Sequence, residues 1–226
     1  MKIKPLDERI AAKVGLSYYV TGFQDYLGAR LLLNHNLLLQ GATLASTAVE
    51  KYVKALFSSR KKRLYGHLNE WKKPEIASLT NELSLNADFF LLLQQVYKIR
   101  YIDDLKAPIS FSIERLKFLL ELDRTICILD KSIEFKRGDE IVNPYESGRL
   151  SGRQELIENN AMISGVSQAL YLMQPDTAEA FYIDESLEIM SCVLTGWVSS
   201  NSSIFSTPGI TRIGQTYLCQ LSAPEA

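Results

Sequence analysis

Six residues separate Arg60 from His67 in Arg60-Lys-Lys-Arg-Leu-Tyr-Gly-His67, and that pair is the first place to look for chemistry. An imidazole can move a proton to or from a ribose 2′-hydroxyl or a leaving oxygen, and a guanidinium can steady the phosphate between them. Together they could do acid–base work on a phosphodiester. A basic run generates such spacings freely, however, so the pair equally fits a helix end in solvent. His35 lies alone in the Asn34-His35-Asn36 turn with no second histidine or cysteine near it, which gives no support for a metal site. Cys127, Cys192 and Cys219 are too widely spaced for a zinc knuckle, a disulfide framework or a nucleophile pattern. There is no glycine-rich phosphate loop. No cofactor is expected, and the chain offers no convincing catalytic set.

The same run, Arg60-Lys61-Lys62-Arg63, can instead bind RNA or a nucleotide, because clustered cations release counterions from a phosphate backbone. Tyr65 and Trp71 follow closely enough to stack a base. The bland reading of the four charges is a helix terminus, where cations complement the carbonyl end of the dipole.

The elements that must position these residues are mostly helical. From about Ala11 to His35, Val14, Tyr18, Tyr26, Ala29, Leu32 and Leu33 recur near a helical period. A second helix is predicted over Leu37 to Ser59, with Leu44, Ala45, Ala48, Val49, Tyr52, Val53 and Leu56 as its stripe and Glu50 and Lys54 paired on its wet edge. Gly66 lets the chain turn, and a connector with Pro74 has room for a short helix. Asp88 to Ile102 gives the third long helix. After Pro108, Ser110 or Ser112 is placed to cap a fourth, carrying Ile113, Leu116, Leu119, Leu120, Cys127 and Ile133. Four helices with short connectors predict an up-down antiparallel bundle over residues 1–135.

Four segments, in order, carry a resemblance: Ala29-Arg-Leu-Leu-Leu, Gly41-Ala-Thr-Leu-Ala-Ser-Thr-Ala-Val-Glu-Lys-Tyr-Val-Lys-Ala-Leu56, Gly66-His-Leu and Tyr97-Lys-Ile-Arg-Tyr101. Over roughly residues 11–135 the chain resembles the prokaryotic HEPN domain. The resemblance implies a dimerising helical bundle of the kind found in RNases and toxins of bacterial conflict systems and in nucleotidyltransferase-linked modules. RNase members carry an arginine followed after four to six residues by histidine, so the resemblance implies as the alternative a metal-independent endoribonuclease using Arg60 or Arg100 with His67. The arginine that matches is Arg100, but Tyr-Ile-Asp-Asp-Leu-Lys-Ala-Pro follows it without a histidine. Arg100 is therefore expected to pair with Asp103 or Asp104. His67 falls in the Gly-His-Leu segment that non-catalytic members also carry, and a capping or hydrogen-bonding role is expected for it. The expected function is a non-catalytic module that forms a homodimer and binds RNA, a nucleotide or a partner protein in a defence or toxin-antitoxin setting. A scaffold with no nucleic-acid role differs only in its ligand.

Charge divides the chain. Through Lys136 there are 21 Lys plus Arg against 15 Asp plus Glu, a net of +6, and beyond it 4 against 11, a net of −7. Two regions with different surfaces are expected, 1–135 and 136–226, with the opposite signs favouring their docking. The second reads as a small α+β appendage. Glu155 to Ile163 suits a helix, Ala178 to Asp184 and Leu187 to Leu194 suit strands, and Ser199 to Pro208 suits a loop. Gly209-Ile-Thr-Arg-Ile-Gly-Gln-Thr-Tyr-Leu is similar to a Leu-Thr-x-x-Gly-x-x-Leu phrase that closes several bacterial proteins, abortive-infection-like ones included. The charged start lacks the apolar stretch of a signal peptide, and apolar runs fall short of the ~20 residues of a membrane span. A reducing cytoplasm is the expected setting, with no membrane partner.

Overall fold

The computed structural model describes residues 2–100, 109–137, 140–183, 186, 189–197, 209–213 and 216–220. β1 (Lys2–Pro5) leads into α1 (Glu8–Asn34), whose N-terminus is capped by Asp7, its carboxylate accepting from the Arg9 and Ile10 backbone N–H groups. α2 (Leu38–Ser59) returns antiparallel to α1. Small residues let the two approach closely: a Cβ on Gly22 would lie 3.1 Å from Tyr52 Cδ2 and from Lys51 Cβ. β2 (Lys62–Tyr65) pairs with β1, and Gly66 turns the chain at φ +85°, a conformation that disfavours a side chain. A 3₁₀ turn (Leu68–Glu70) and α3 (Lys73–Leu83), with Pro74 in its first turn, fill the expected connector. α4 (Ala87–Lys98) packs on α2, and Ile99 and Arg100 of the expected third helix are not in it; Tyr101 and Ile102 lie outside the described residues.

The expected fourth helix is wrong at its start. Ser110-Phe111-Ser112-Ile113 alternates with a period of two, and it forms β3 (Ile109–Glu114), not a capped helical turn. α5 (Arg115–Lys131) follows directly. Its N-cap position is Glu114, which makes no side-chain capping bond. Asp176, sixty residues further on, accepts from Leu116 N at 2.7 Å and from Arg115 Nε at 2.9 Å. A long-range carboxylate thus supplies what a local serine was expected to supply.

The remaining chain runs through β4 (Lys136–Arg137), β5 (Glu140–Ile141), α6 (Pro144–Leu150), α7 (Gln154–Ile157), α8 (Ala161–Ser164) and α9 (Gln168–Leu172). Then come β6 (Asp176–Ile183), β7 (Ile189–Trp197), β8 (Gly209–Ile213) and β9 (Thr216–Gln220). The two expected strands are β6 and β7, in an antiparallel sheet of order β3-β6-β7 with Phe111 stacked on Phe181. The helix expected over 155–163 is broken into α7 and α8. Arg30 takes the Glu155 and Glu158 carbonyls, and Asn159 sits at φ +50°. The 199–208 loop, and Asp103 and Asp104 as partners of Arg100, lie outside the described residues.

The protein is mainly helical with a small sheet region. α1, α2, α4 and α5 enclose a core of Tyr19, Tyr26, Tyr52, Leu56, Phe89, Phe90 and Phe118. Phe181, Ile183, Tyr145 and Leu156 belong to the same cluster, so apolar packing continues across the change in charge at Lys136.

Asp130 joins three of the helices, accepting from Tyr19 Oη of α1 at 2.7 Å and Tyr52 Oη of α2 at 3.4 Å. Burial pushes its carboxyl up to about 6 although the tyrosine and Asn143 hydrogen bonds favour the anion; Glu146 adds to the rise. A raised folded-state value means the native protein holds this proton more tightly than the unfolded chain. The contribution is full below the unfolded value near 4 and is lost as pH rises through 6. Relative to Asp130→Asn, the wild type is expected to lose about 2 kcal/mol of unfolding free energy between pH 4 and pH 7. Urea titrations of both proteins at the two pH values measure the difference.

Candidate functional site

The basic run does not act as one patch. Arg60 pairs with Glu82 at 2.6 Å and Lys61 with Glu8 at 3.0 Å, both on the surface. Strand alternation then separates the other two, because β2 points Lys62 and Leu64 one way and Arg63 and Tyr65 the other. Leu64 is buried against the bundle, so Arg63 and Tyr65 form the outer face. Register places Lys4 of β1 opposite Arg63. The Arg63 guanidinium lies 4.8 Å and the Lys4 ammonium 5.7 Å from the centre of the Tyr65 ring, which is 37% exposed. Trp71 is corrected: at 3% exposure it belongs to the core beneath the turn and cannot stack a base. Lys4 was missed, although the alternation Lys2-Ile-Lys-Pro is the signal of a strand that could carry it.

His67 sits at a second cluster. Its Nδ1 lies 3.2 Å from Glu50 Oε1, which also accepts from Lys54 Nζ at 2.7 Å. Glu50 Oε2 accepts from Leu68 N at 2.8 Å, which satisfies a free donor at the start of the 3₁₀ turn. Glu50 and Lys54 are not on a wet edge: they are 6% and 9% exposed. The helical spacing is as expected, but the 67–70 segment folds over them and excludes water. The Ala-Val-Glu-Lys stretch and the Gly-His-Leu segment are therefore one device, a helix carboxylate holding a loop. The imidazole is 57% exposed and stacks on Tyr97, ring centres 5.9 Å apart.

Arg100 approaches the same ring, its guanidinium 5.2 Å from the Tyr97 centre, and donates to Thr47 Oγ1 at 3.0 Å. Thus Arg100 and His67, distant in sequence, both pack on Tyr97, whereas Arg60 is held away at Glu82. Chemically the arrangement offers an imidazole oriented by a carboxylate, and a guanidinium packed on the same tyrosine. Among the described residues no group of three or more His, Cys, Asp or Glu could hold a metal ion, and no helix is long and apolar enough to cross a membrane. Comparison of the chain with protein-family models, with curated proteins and with solved structures finds no match in any of the three.

Proposed function

We propose that the chain is a non-catalytic, HEPN-like binding module that acts as a homodimer in the cytoplasm of a prokaryote, in a defence or toxin-antitoxin setting, and that its ligand is single-stranded RNA. The observation that carries the ligand is the outer face of the β1–β2 hairpin, where an exposed Tyr65 is flanked by Lys4 and Arg63. An aromatic face beside two cations gives a base a platform and adjacent phosphates their counter-charges. Replacing Lys4 and Arg63 with glutamine is expected to flatten the salt dependence of RNA binding by about 1.4 in log–log slope, roughly 0.7 for each lost contact. Tyr65→Ala should cost about 1–3 kcal/mol of binding without changing that slope. Arg60 and Lys61, already paired, should contribute little. Light scattering on the same samples reads the dimer. RNA binding that ignores all these substitutions would remove the hairpin from the reading, and absence of RNA binding would put a nucleotide or partner protein in place of RNA as ligand.

A second reading, a metal-independent endoribonuclease, is favoured by the convergence of His67 and Arg100 on Tyr97. Under it, purified protein cleaves RNA in the presence of chelator and His67→Ala abolishes cleavage while leaving binding intact. On the first reading no cleavage appears above background.

A further inference from the structure

A pocket of about 540 Å³ opens between α1, α2 and the end of α4, away from the hairpin face. Its size is that of small-molecule sites. Leu44 and Ile99 give it apolar walls, and Ile99 is itself buried. Helical spacing on α2 brings Thr47 and Lys51, four residues apart, to one side of it, and Arg100 reaches in from the end of α4 to Thr47. The three polar groups are already partly ordered. Lys51 Nζ lies 2.6 Å from Asp25 Oδ2, and Arg100 spends one N–H on Thr47 while its guanidinium rests on Tyr97. A guanidinium has five N–H donors and an ammonium three, so both retain donors after these contacts. Thr47 accepts from Arg100 and keeps its own hydroxyl proton to give. Among the described lining residues, two cations and one carboxylate leave one net positive charge, and an apolar wall stands beside it.

We infer that this pocket binds a small organic anion, its phosphate or carboxylate held by Arg100, Lys51 and Thr47 and its apolar body laid on Leu44 and Ile99. The charged end is fixed by donors that folding has oriented, so little ordering is needed on binding. The apolar body distinguishes the ligand from a free inorganic anion. The inference does not depend on the hairpin reading, because Lys4, Arg63 and Tyr65 take no part in the pocket.

The test is calorimetric titration of the full chain at low ionic strength with three probes: phenyl phosphate, benzoate and inorganic phosphate. Phenyl phosphate or benzoate should bind at millimolar concentration or below, the tighter of the two identifying the anionic group. Inorganic phosphate should bind at least about tenfold more weakly than phenyl phosphate, a difference of ~1.4 kcal/mol. Arg100→Gln should weaken binding at least tenfold with an unchanged circular-dichroism spectrum, and Thr47→Val should weaken it several-fold. If Arg100→Gln does not fold, the wild type supplies the same information, since phenyl phosphate should protect Arg100 from modification by phenylglyoxal. Equal affinity for phenyl phosphate and inorganic phosphate would overturn the apolar contact. No binding of either organic probe, binding indifferent to Arg100, or unprotected Arg100 would overturn the site.

Discussion

Asp123→Ala is expected to be the most destabilising single substitution in the described structure, at roughly 4 kcal/mol, the range for breaking a fully buried ion pair by removing one partner. Asp123 is inaccessible to solvent, pairs with Arg30 Nη1, and accepts from Tyr26 Oη at 2.7 Å. Burial opposes the charge on Arg30, and Asp123 more than offsets it, so the guanidinium stays protonated. Without the carboxylate, a cation at 0% exposure is left facing the carbonyls of Glu155 and Glu158 and the Tyr26 ring, with no anion among these partners. Those carbonyls tie α7 and the turn after it to α1, and Asn160 extends the network by donating to Tyr26 Oη and to the Leu156 carbonyl. Urea unfolding should show the loss in the midpoint. Hydrogen exchange should show it first at 154–160, because that segment depends on Arg30. The double substitution Arg30→Met with Asp123→Leu is expected to recover part of the loss, since apolar replacement removes both charges. It should not recover all, because the two carbonyl bonds go with Arg30. A loss below 1 kcal/mol for Asp123→Ala would mean that water or another carboxylate reaches Arg30.

Glu50→Ala is expected to cost about 3 kcal/mol, several times the value for an exposed helical pair. One carboxylate serves three groups, so its removal strands the buried Lys54 ammonium, leaves Leu68 N without its acceptor and frees the His67 ring. Glu50→Gln keeps an acceptor for Leu68 and should cost less. Thermal unfolding of the two variants ranks them, and amide exchange at Leu68 should accelerate in the alanine variant alone. If the endoribonuclease reading holds, Glu50→Gln should also lower cleavage while the fold persists, because the carboxylate orients the imidazole.

Periodicity makes α1 and α2 readable from sequence. Their apolar stripes are long and the Asn34-His35-Asn36 turn separates them, whereas the start of α1 at Glu8, behind the Asp7 cap, lies three residues before the expected Ala11. The strands β6 and β7 are legible for the same kind of reason, aromatic and β-branched residues in alternation. β3 was lost because Ser110 and Ser112 look like caps when read with the following helix; only pairing with β6 shows that they alternate in a strand. The hairpin face is half legible. Arg63 and Tyr65 lie within a basic run that any scan finds, but the choice of Arg63 over Lys62 depends on which side of β2 meets the bundle.

Residue type and order by themselves determined that the chain is mainly helical and that two long helices stand near its start. These are local matters, set within a few turns by periodicity, capping and spacing. Tertiary structure alone decided that Glu50 and Lys54 are buried, that Trp71 is core, that Asp176 caps α5 and that His67 and Arg100 meet on Tyr97. Each of these depends on which distant segment covers a given helix face, and burial changes what a charge does: exposed, Glu50 would be a weak surface partner, whereas excluded from water it must be satisfied by the turn that encloses it.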